Sequence, residues 1–337
     1  MRLENLLALT HGKLINEPFV KQFNNIVFEA KAVKRGDLFI AFHEEEIEDA
    51  IAHGAYGILF CKPAQISDFE IAWIKVDDLE NALERILRFI LIEKELKVYE
   101  CNEITLKLAL QVITEPNFIA LHGEIRELYR VLHSVEHSAT LLFCPSITSR
   151  NLFTQVSPLS EHIGESINII EQTLFETSFI YDNVFYERQL ISPFFIPFLE
   201  TLLNLFKQLK INYRLRKFTP IDHFQAVFTN KNFEIKEFGT SDKVLIFEKS
   251  SEYIEKEIAF LQKEATWAKT LYLIPQSCQL KEEFLEYTHL QKYKNENEIL
   301  NILRENSFHF ALIIGVDKSI LATPLHQTNE LTLFDFK

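Results

Sequence analysis

Two histidines four positions apart, with a glutamate between them, are the residues whose spacing most directly suggests chemistry. His133-Ser134-Val135-Glu136-His137 reads H-x-x-E-H. On a helix, positions i and i+4 share a face, so His133 and His137 could ligate zinc while Glu136 acts as general base of a metal-dependent hydrolase. No third acidic ligand can be picked out, and a run of five residues arises readily by chance. A surface helix end carrying two histidines explains the run more simply, and no metal is expected there. Glu44-Glu45-Glu46 with Glu48 and Asp49 could likewise suggest a cation site. Acids are favoured in the first turn of a helix by its dipole, and that reading is preferred. Asp77-Asp78 is most simply a helix cap. Tyr181-Asp182-Asn183 and Ile221-Asp222-His223-Phe224 carry polar groups that could line a cleft, and no role is assigned to them.

Glycine excludes several enzyme classes. There are only eight, and of these only Gly54 and Gly57 lie close together. Neither G-x-x-x-x-G-K-[ST] nor G-x-G-x-x-G can therefore be written, and the G-x-S-x-G elbow is missing too. Phosphate loops need glycine so that backbone N–H groups can approach phosphate unobstructed. No cofactor is expected.

The net charge of -13 over 337 residues argues against nucleic acid or an anionic membrane as the main partner. The local basic group Lys207, Lys210, Arg214, Arg216 and Lys217 reads as a solvated helix face. Cys61, Cys101, Cys144 and Cys278 form no C-x-x-C pair, which fits reduced thiols in a cytoplasmic protein. An acid at Glu4 interrupts the N-terminus before a signal peptide can form. Pro193 to Leu209 is the most apolar stretch, but Glu200, Asn204 and Lys207 make it a buried helix rather than a membrane span.

The elements that would position these residues alternate between strand and helix, so the fold class is α/β with helices covering sheets. In the first segment, a helix over Arg2–Leu9 precedes strands at Ile26–Phe28, Leu38–Ala41, Gly57–Phe60 and Ile71–Val76, with a helix over about Glu44–His53. Asp78 then caps a helix with Leu79, Leu83, Ile86, Leu87 and Ile90 on one face. In the second, a strand at Phe118–Leu121 leads to a helix with Ile125, Leu128, Val131, Leu132 and Val135 on one face, and a further helix spans Ile196–Leu209. In the third, strands at Val244–Phe247, Leu271–Ile274 and Phe310–Ile314 give a doubly wound pattern. Leu331–Phe334 is read as a possible edge strand.

Lys31-Ala32-Val33-Lys34-Arg35-Gly36-Asp37-Leu38-Phe39-Ile40-Ala41 resembles the N-terminal domain of Mur ligases, which reads D-S-R-x-V-x-x-G-D-L-F-x-A. The helix and strand that follow in that family are matched by Ala50 to Phe60. Leu215 to Pro220 and Phe310 to Gly315 are similar to later family landmarks. The resemblance is strong over about the first hundred residues and loose beyond. It implies three domains: residues 1–100 of UDP-sugar-binding type, 101–240 a shortened central ATPase-like domain, and 241–337 a Rossmann-like C-terminal domain. It also implies a link to peptidoglycan precursor synthesis, in which the family joins an amino acid or dipeptide to a UDP-muramoyl precursor through an acyl phosphate. The type that adds D-alanyl-D-alanine is nearest.

Against the family's Asp-Ser-Arg for the UDP-sugar, this chain has Glu29-Ala30-Lys31. A hydroxyl is lost, and a bidentate guanidinium becomes a point charge. The family's D-G-H loop is replaced by Phe42 to Glu46. Against T-G-S-x-G-K-T stands Leu121-His122-Gly123-Glu124-Ile125-Arg126-Glu127-Leu128. Glu124 and Glu127 would each repel a phosphate charge by about 4 kcal/mol at roughly 4 Å and an effective dielectric near 20, and Arg126 would offset only part of this. The D-D-x-Y-N-A-N-P run is replaced by Phe247-Glu248-Lys249-Ser250. The expectation is a degenerate, non-catalytic paralogue that binds a UDP-muramoyl precursor or a cell-wall enzyme. The rivals are the hydrolase of His133, Glu136 and His137, and a pure protein-interaction module.

Overall fold

The computed structural model describes residues 1–160, 166–215, 217–237, 240–285 and 289–321. The chain divides into two compact units, Met1–Ser160 with Leu205–Arg214, and Glu161–Asn204 with Leu215–Lys337.

In the first unit, strands β1 (Lys13–Leu14), β2 (Ile26–Val27), β3 (Leu38–Ile40), β4 (Gly57–Phe60) and β5 (Ala72–Lys75) form a sheet in the order β1-β5-β4-β3-β2. All neighbours are parallel except the edge pair β1–β5. Helices α1 (Leu3–Thr10), α2 (Ile47–Ala52) and α3 (Leu79–Ile92) accompany it. Strand residues alternate between two cores. Leu38, Ile40, Leu59 and Ile74 join one cluster, whereas Phe39, Ile58, Phe60 and Trp73 join the other. A parallel sheet covered on both faces requires continuous apolar runs, and these strands supply them. Asp78 caps α3, its Oδ1 accepting from the Asn81 backbone N–H at 2.7 Å.

A second, wholly parallel sheet contains β6 (Lys97–Glu100), β7 (Phe118–Ala120), β8 (Thr140–Phe143) and β9 (Ser157–Pro158), in the order β7-β8-β6-β9. Helices α4 (Glu103–Val112) and α5 (Ile125–His133) connect its strands. Leu128, Tyr129 and Leu132 of α5 share one core with Leu83 and Leu87 of α3, which joins the two sheets. Val131, expected on that face, is instead 42% exposed, and Tyr129 takes the inward place. With about 3.6 residues per turn, Leu128, Tyr129 and Leu132 centre the buried face and Val131 falls off its edge. Helix α6 (Ile196–Leu209) matches its expected bounds and carries residues of both units. Its Phe206 packs edge-on against Phe118, with ring centroids 5.2 Å apart.

The second unit begins with an antiparallel meander of β10 (Asn168–Gln172), β11 (Thr177–Tyr181) and β12 (Val184–Gln189). Asp182 and Asn183, at φ 50° and 61°, make the β11–β12 turn. Short polar side chains tolerate this left-handed region, so the polar run there is turn chemistry rather than a cleft. Strands β13 (Gln225–Thr229), β14 (Lys243–Glu248), β15 (Thr270–Pro275), β16 (Leu290–Tyr293) and β17 (Phe310–Ile314) form the last sheet, in the order β13-β14-β17-β15-β16. Only β13 runs antiparallel. Helices α7 (Ile254–Glu264), α8 (Glu282–Leu285) and α9 (Glu296–Glu305) link the strands. The expected edge strand at Leu331–Phe334 lies outside the described residues.

Among the described residues, no helix is long and apolar enough to cross a membrane.

Candidate functional site

Of the residues singled out at 29–31 and 123–137, the first unit brings Glu29 and His133 to one cavity and leaves the others outside it. The chain leaves β2 through Phe28 and Glu29 and turns over Ala30–Ala32 as a short 3-10 helix. The turn is held from two sides. Ala30 donates its N–H to Glu46 Oε2 at 3.1 Å. Asp37, almost fully buried, accepts from the Asn25 and Lys34 backbone N–H groups at 3.1 and 2.9 Å and from Asn25 Nδ2 at 3.0 Å. Gly36 beside it has φ 98°, and a Cβ there would meet Asn24 Nδ2 at 2.4 Å. The Gly-Asp word is therefore needed by the turn itself, whatever the turn binds. The acidic run is likewise structural. Glu44–Glu46 forms a separate 3-10 turn before α2 rather than one helix from Glu44 to His53, with Glu46 holding Ala30 and Glu44 3.7 Å from Lys62.

Between this turn and α5 lies a cavity of about 260 Å³ lined by Asn25, Phe28, Glu29, Tyr129, Arg130 and His133. Its floor is aromatic. Phe28 meets Tyr129 edge-on at 5.4 Å, and Tyr129 stacks with His133 at 5.4 Å. Burial raises the Tyr129 phenol to about 12, so it stays a neutral donor at ordinary pH. Glu29 forms an ion pair with Arg130, whose guanidinium lies 5.8 Å from the centre of the Phe28 ring. Lys31 is exposed on the same turn but does not line the cavity. The crevice can hold a small ligand with an apolar face and an anionic group, provided that the ligand displaces Glu29 from Arg130.

The loop from β7 to α5 places the other predicted group. Gly123 has φ 95°, and a Cβ there would fall 2.0 Å from Glu127 Oε2. The Glu127 carboxylate thus lies over the glycine, at the amino end of α5. Glu124 is the N-cap residue and pairs with Arg126 at 3.0 Å, and Arg126 also sits 4.8 Å over the Phe42 ring. A helix start is a natural anion site, and here two of the chain's own carboxylates stand at it.

The H-x-x-E-H residues do not share one helix face. Helix α5 ends at His133, Ser134 is its C-cap, and Glu136 and His137 lie beyond. Lys94 Nζ caps this end, donating to the carbonyls of Leu132 and His133 at 3.3 and 3.1 Å and to that of Val135, just past the helix, at 2.5 Å. Among the described residues no group of three or more His, Cys, Asp or Glu could hold a metal ion.

Sequence reasoning missed two places. Strand β6 and α4 form another strand–turn–helix in the interior of the parallel sheet, where Asn102 Oδ1 caps the Thr105 N–H at 2.9 Å and Lys107 pairs with Glu103 at 2.6 Å. It has no glycine to draw attention, and in such sheets ligands gather at the carboxyl ends of strands. In the second unit, Glu248 at the end of β14 is fully buried. It accepts from His223 Nδ1 at 2.9 Å, the Phe224 N–H at 3.0 Å and the Ser250 N–H at 2.7 Å. Glu257, also fully buried, stands nearby. Burial first, and then the Glu248 charge, push its carboxyl well above the usual range. The sequence offered a glutamate ending an apolar strand and a histidine in the polar run Ile221–Phe224, with nothing to pair the two.

The fold these elements make is similar to that of the Mur ligases. MurF from Acinetobacter baumannii matches with a TM-score of 0.51 at 10% identity, over 95% of this chain and 98% of that one. The MurF ligase from Thermotoga maritima, solved in complex with ADP, gives a TM-score of 0.47 at 11% identity, over 88% of this chain and 95% of that one. No family model and no curated protein sequence matches the chain.

Proposed function

We propose that this chain is a non-catalytic, Mur-ligase-like binding protein of the cytoplasm, tied to peptidoglycan precursor synthesis through the crevice between the Glu29 turn and α5. Its ligand is a UDP-muramoyl precursor or a cell-wall enzyme that presents the same anionic chemistry. The observation that carries the reading is the amino end of α5, where Glu124 and Glu127 stand at the anion position beside Gly123. A triphosphate placed there would meet two negative charges. The fold likeness to MurF and the resemblance of residues 31–41 support the link to the pathway.

Thermal unfolding with UDP-muramoyl-tripeptide and, separately, with Mg-ATP tests this reading. A ligand at a hundred times its Kd adds about 2.7 kcal/mol to the folded state. The expected result is stabilisation by the UDP precursor and none by Mg-ATP. Stabilisation by Mg-ATP, or ATP-dependent ligation of a muramoyl precursor, would overturn it.

A further inference from the structure

We infer that the second unit carries a separate binding site, for a small organic cation with an apolar body, at the amino edge of its large sheet. The site is a cavity of about 380 Å³ where β14 and β17 begin, at the opposite strand ends from Glu248. The β10–β11 loop brings Phe175 over it. Phe175 meets Phe228 edge-on at 5.7 Å and Phe310 at 6.4 Å, and Trp267 meets Phe310 at 5.7 Å. Four aromatic rings thus contribute to one wall system, and its volume falls in the range of small-ligand sites.

The charge of the lining selects the ligand. Glu264 is the one ionisable residue among the described residues that line the cavity, which include no Lys, Arg or His. Its Oε2 accepts from Gln172 Nε2 at 2.9 Å, which fixes the carboxylate at the wall. Its Oε1 lies 3.1 Å from Lys263 Nζ, but that lysine is 81% exposed, and such a surface pair contributes little. Aromatic faces attract cations, and a carboxylate beside them neutralises the charge. An anion meets the reverse arrangement. A primary or quaternary ammonium group with an aryl or alkyl body therefore fits, the ammonium near Glu264 and the body among the rings.

Trp267 makes the test direct. It is 72% exposed and lines the cavity, whereas the other tryptophan, Trp73, is fully buried in the first unit. Benzyltrimethylammonium, benzyl alcohol and benzenesulfonate would be titrated into the full chain, reading tryptophan fluorescence and calorimetric heat. Saturable binding of the cation is expected, with both controls weaker by about tenfold or more. Glu264→Gln should weaken the cation about tenfold and leave benzyl alcohol unchanged. Trp267→Ala, at an exposed position, should also weaken the cation by calorimetry. Equal binding of cation and alcohol, an unaltered Kd in Glu264→Gln, or no saturable binding by either readout would each overturn the inference.

Discussion

Two carboxylate–base pairs of similar chemistry sit in very different surroundings. In the first unit, Glu29 and Arg130 meet across an open crevice, with side chains 66% and 53% exposed. In the second, Glu248 and His223 meet at 2.9 Å with side chains 0% and 2% exposed. Water screens the first pair, so it holds little of the fold and can be exchanged for a ligand. The second is shut away, and Glu248 satisfies three donors that have lost water to meet it. A broken buried pair leaves a charge with no solvent to receive it. The open pair is a place to bind; the closed pair is a brace.

The largest effect expected is from Glu248→Ala. It leaves the His223, Phe224 and Ser250 donors facing a void and should cost about 3–5 kcal/mol, read as a shift in the urea midpoint. A loss under about 1 kcal/mol would break the distinction between brace and binding place. Next is Lys94→Ala, which removes the donor to two carbonyls at the end of α5 and one just past it, and should cost about 1.5–3 kcal/mol by the same measurement.

Glu257 sharpens the contrast through pH. Its carboxyl is raised well above the usual range in the folded state and ionises normally once unfolded, so the folded state keeps the proton to higher pH. Its contribution to stability is complete below the unfolded value of about 4.3 and falls as pH rises toward the raised folded value. Glu257→Gln keeps a neutral group of the same shape. Its midpoint should fall less between pH 5 and pH 8 than that of the parent chain, and an equal fall in both would remove Glu257 from the cluster.

The smallest effect on stability is expected at the open pair. Glu29→Ala should change folding by less than about 1 kcal/mol. By releasing Arg130 it should tighten UDP-muramoyl-tripeptide by up to about tenfold in calorimetry. A looser complex would mean that Glu29 itself holds the ligand.

Much of this arrangement was legible in the sequence where periodicity carries the information. Gly57–Phe60 and Phe310–Ile314 announce buried parallel strands, Ile196–Leu209 a helix and Asp78 a cap, because each is a local consequence of residue order. The crevice was legible only in halves. Glu29 and Arg130 are far apart in the chain, and nothing at either position names the other. Lys94 shows the limit more sharply. Helical spacing alone carries α5 on to His137, whereas the helix ends at His133, where Lys94, from the loop after α3, caps it. The pairing of Glu248 with His223 was hidden for the same reason, since burial of a polar pair is decided by tertiary packing.

The division of the chain has a consequence for how the protein is made. The first unit is assembled from Met1–Ser160 and the later stretch Leu205–Arg214. Phe206, which covers Phe118, is therefore synthesised only after the whole β10–β12 meander. At ordinary elongation speeds the nascent first unit waits on the order of seconds with that aromatic surface bare. A chain that stopped before residue 205 would lack Phe206 and leave Phe118 without that partner ring permanently.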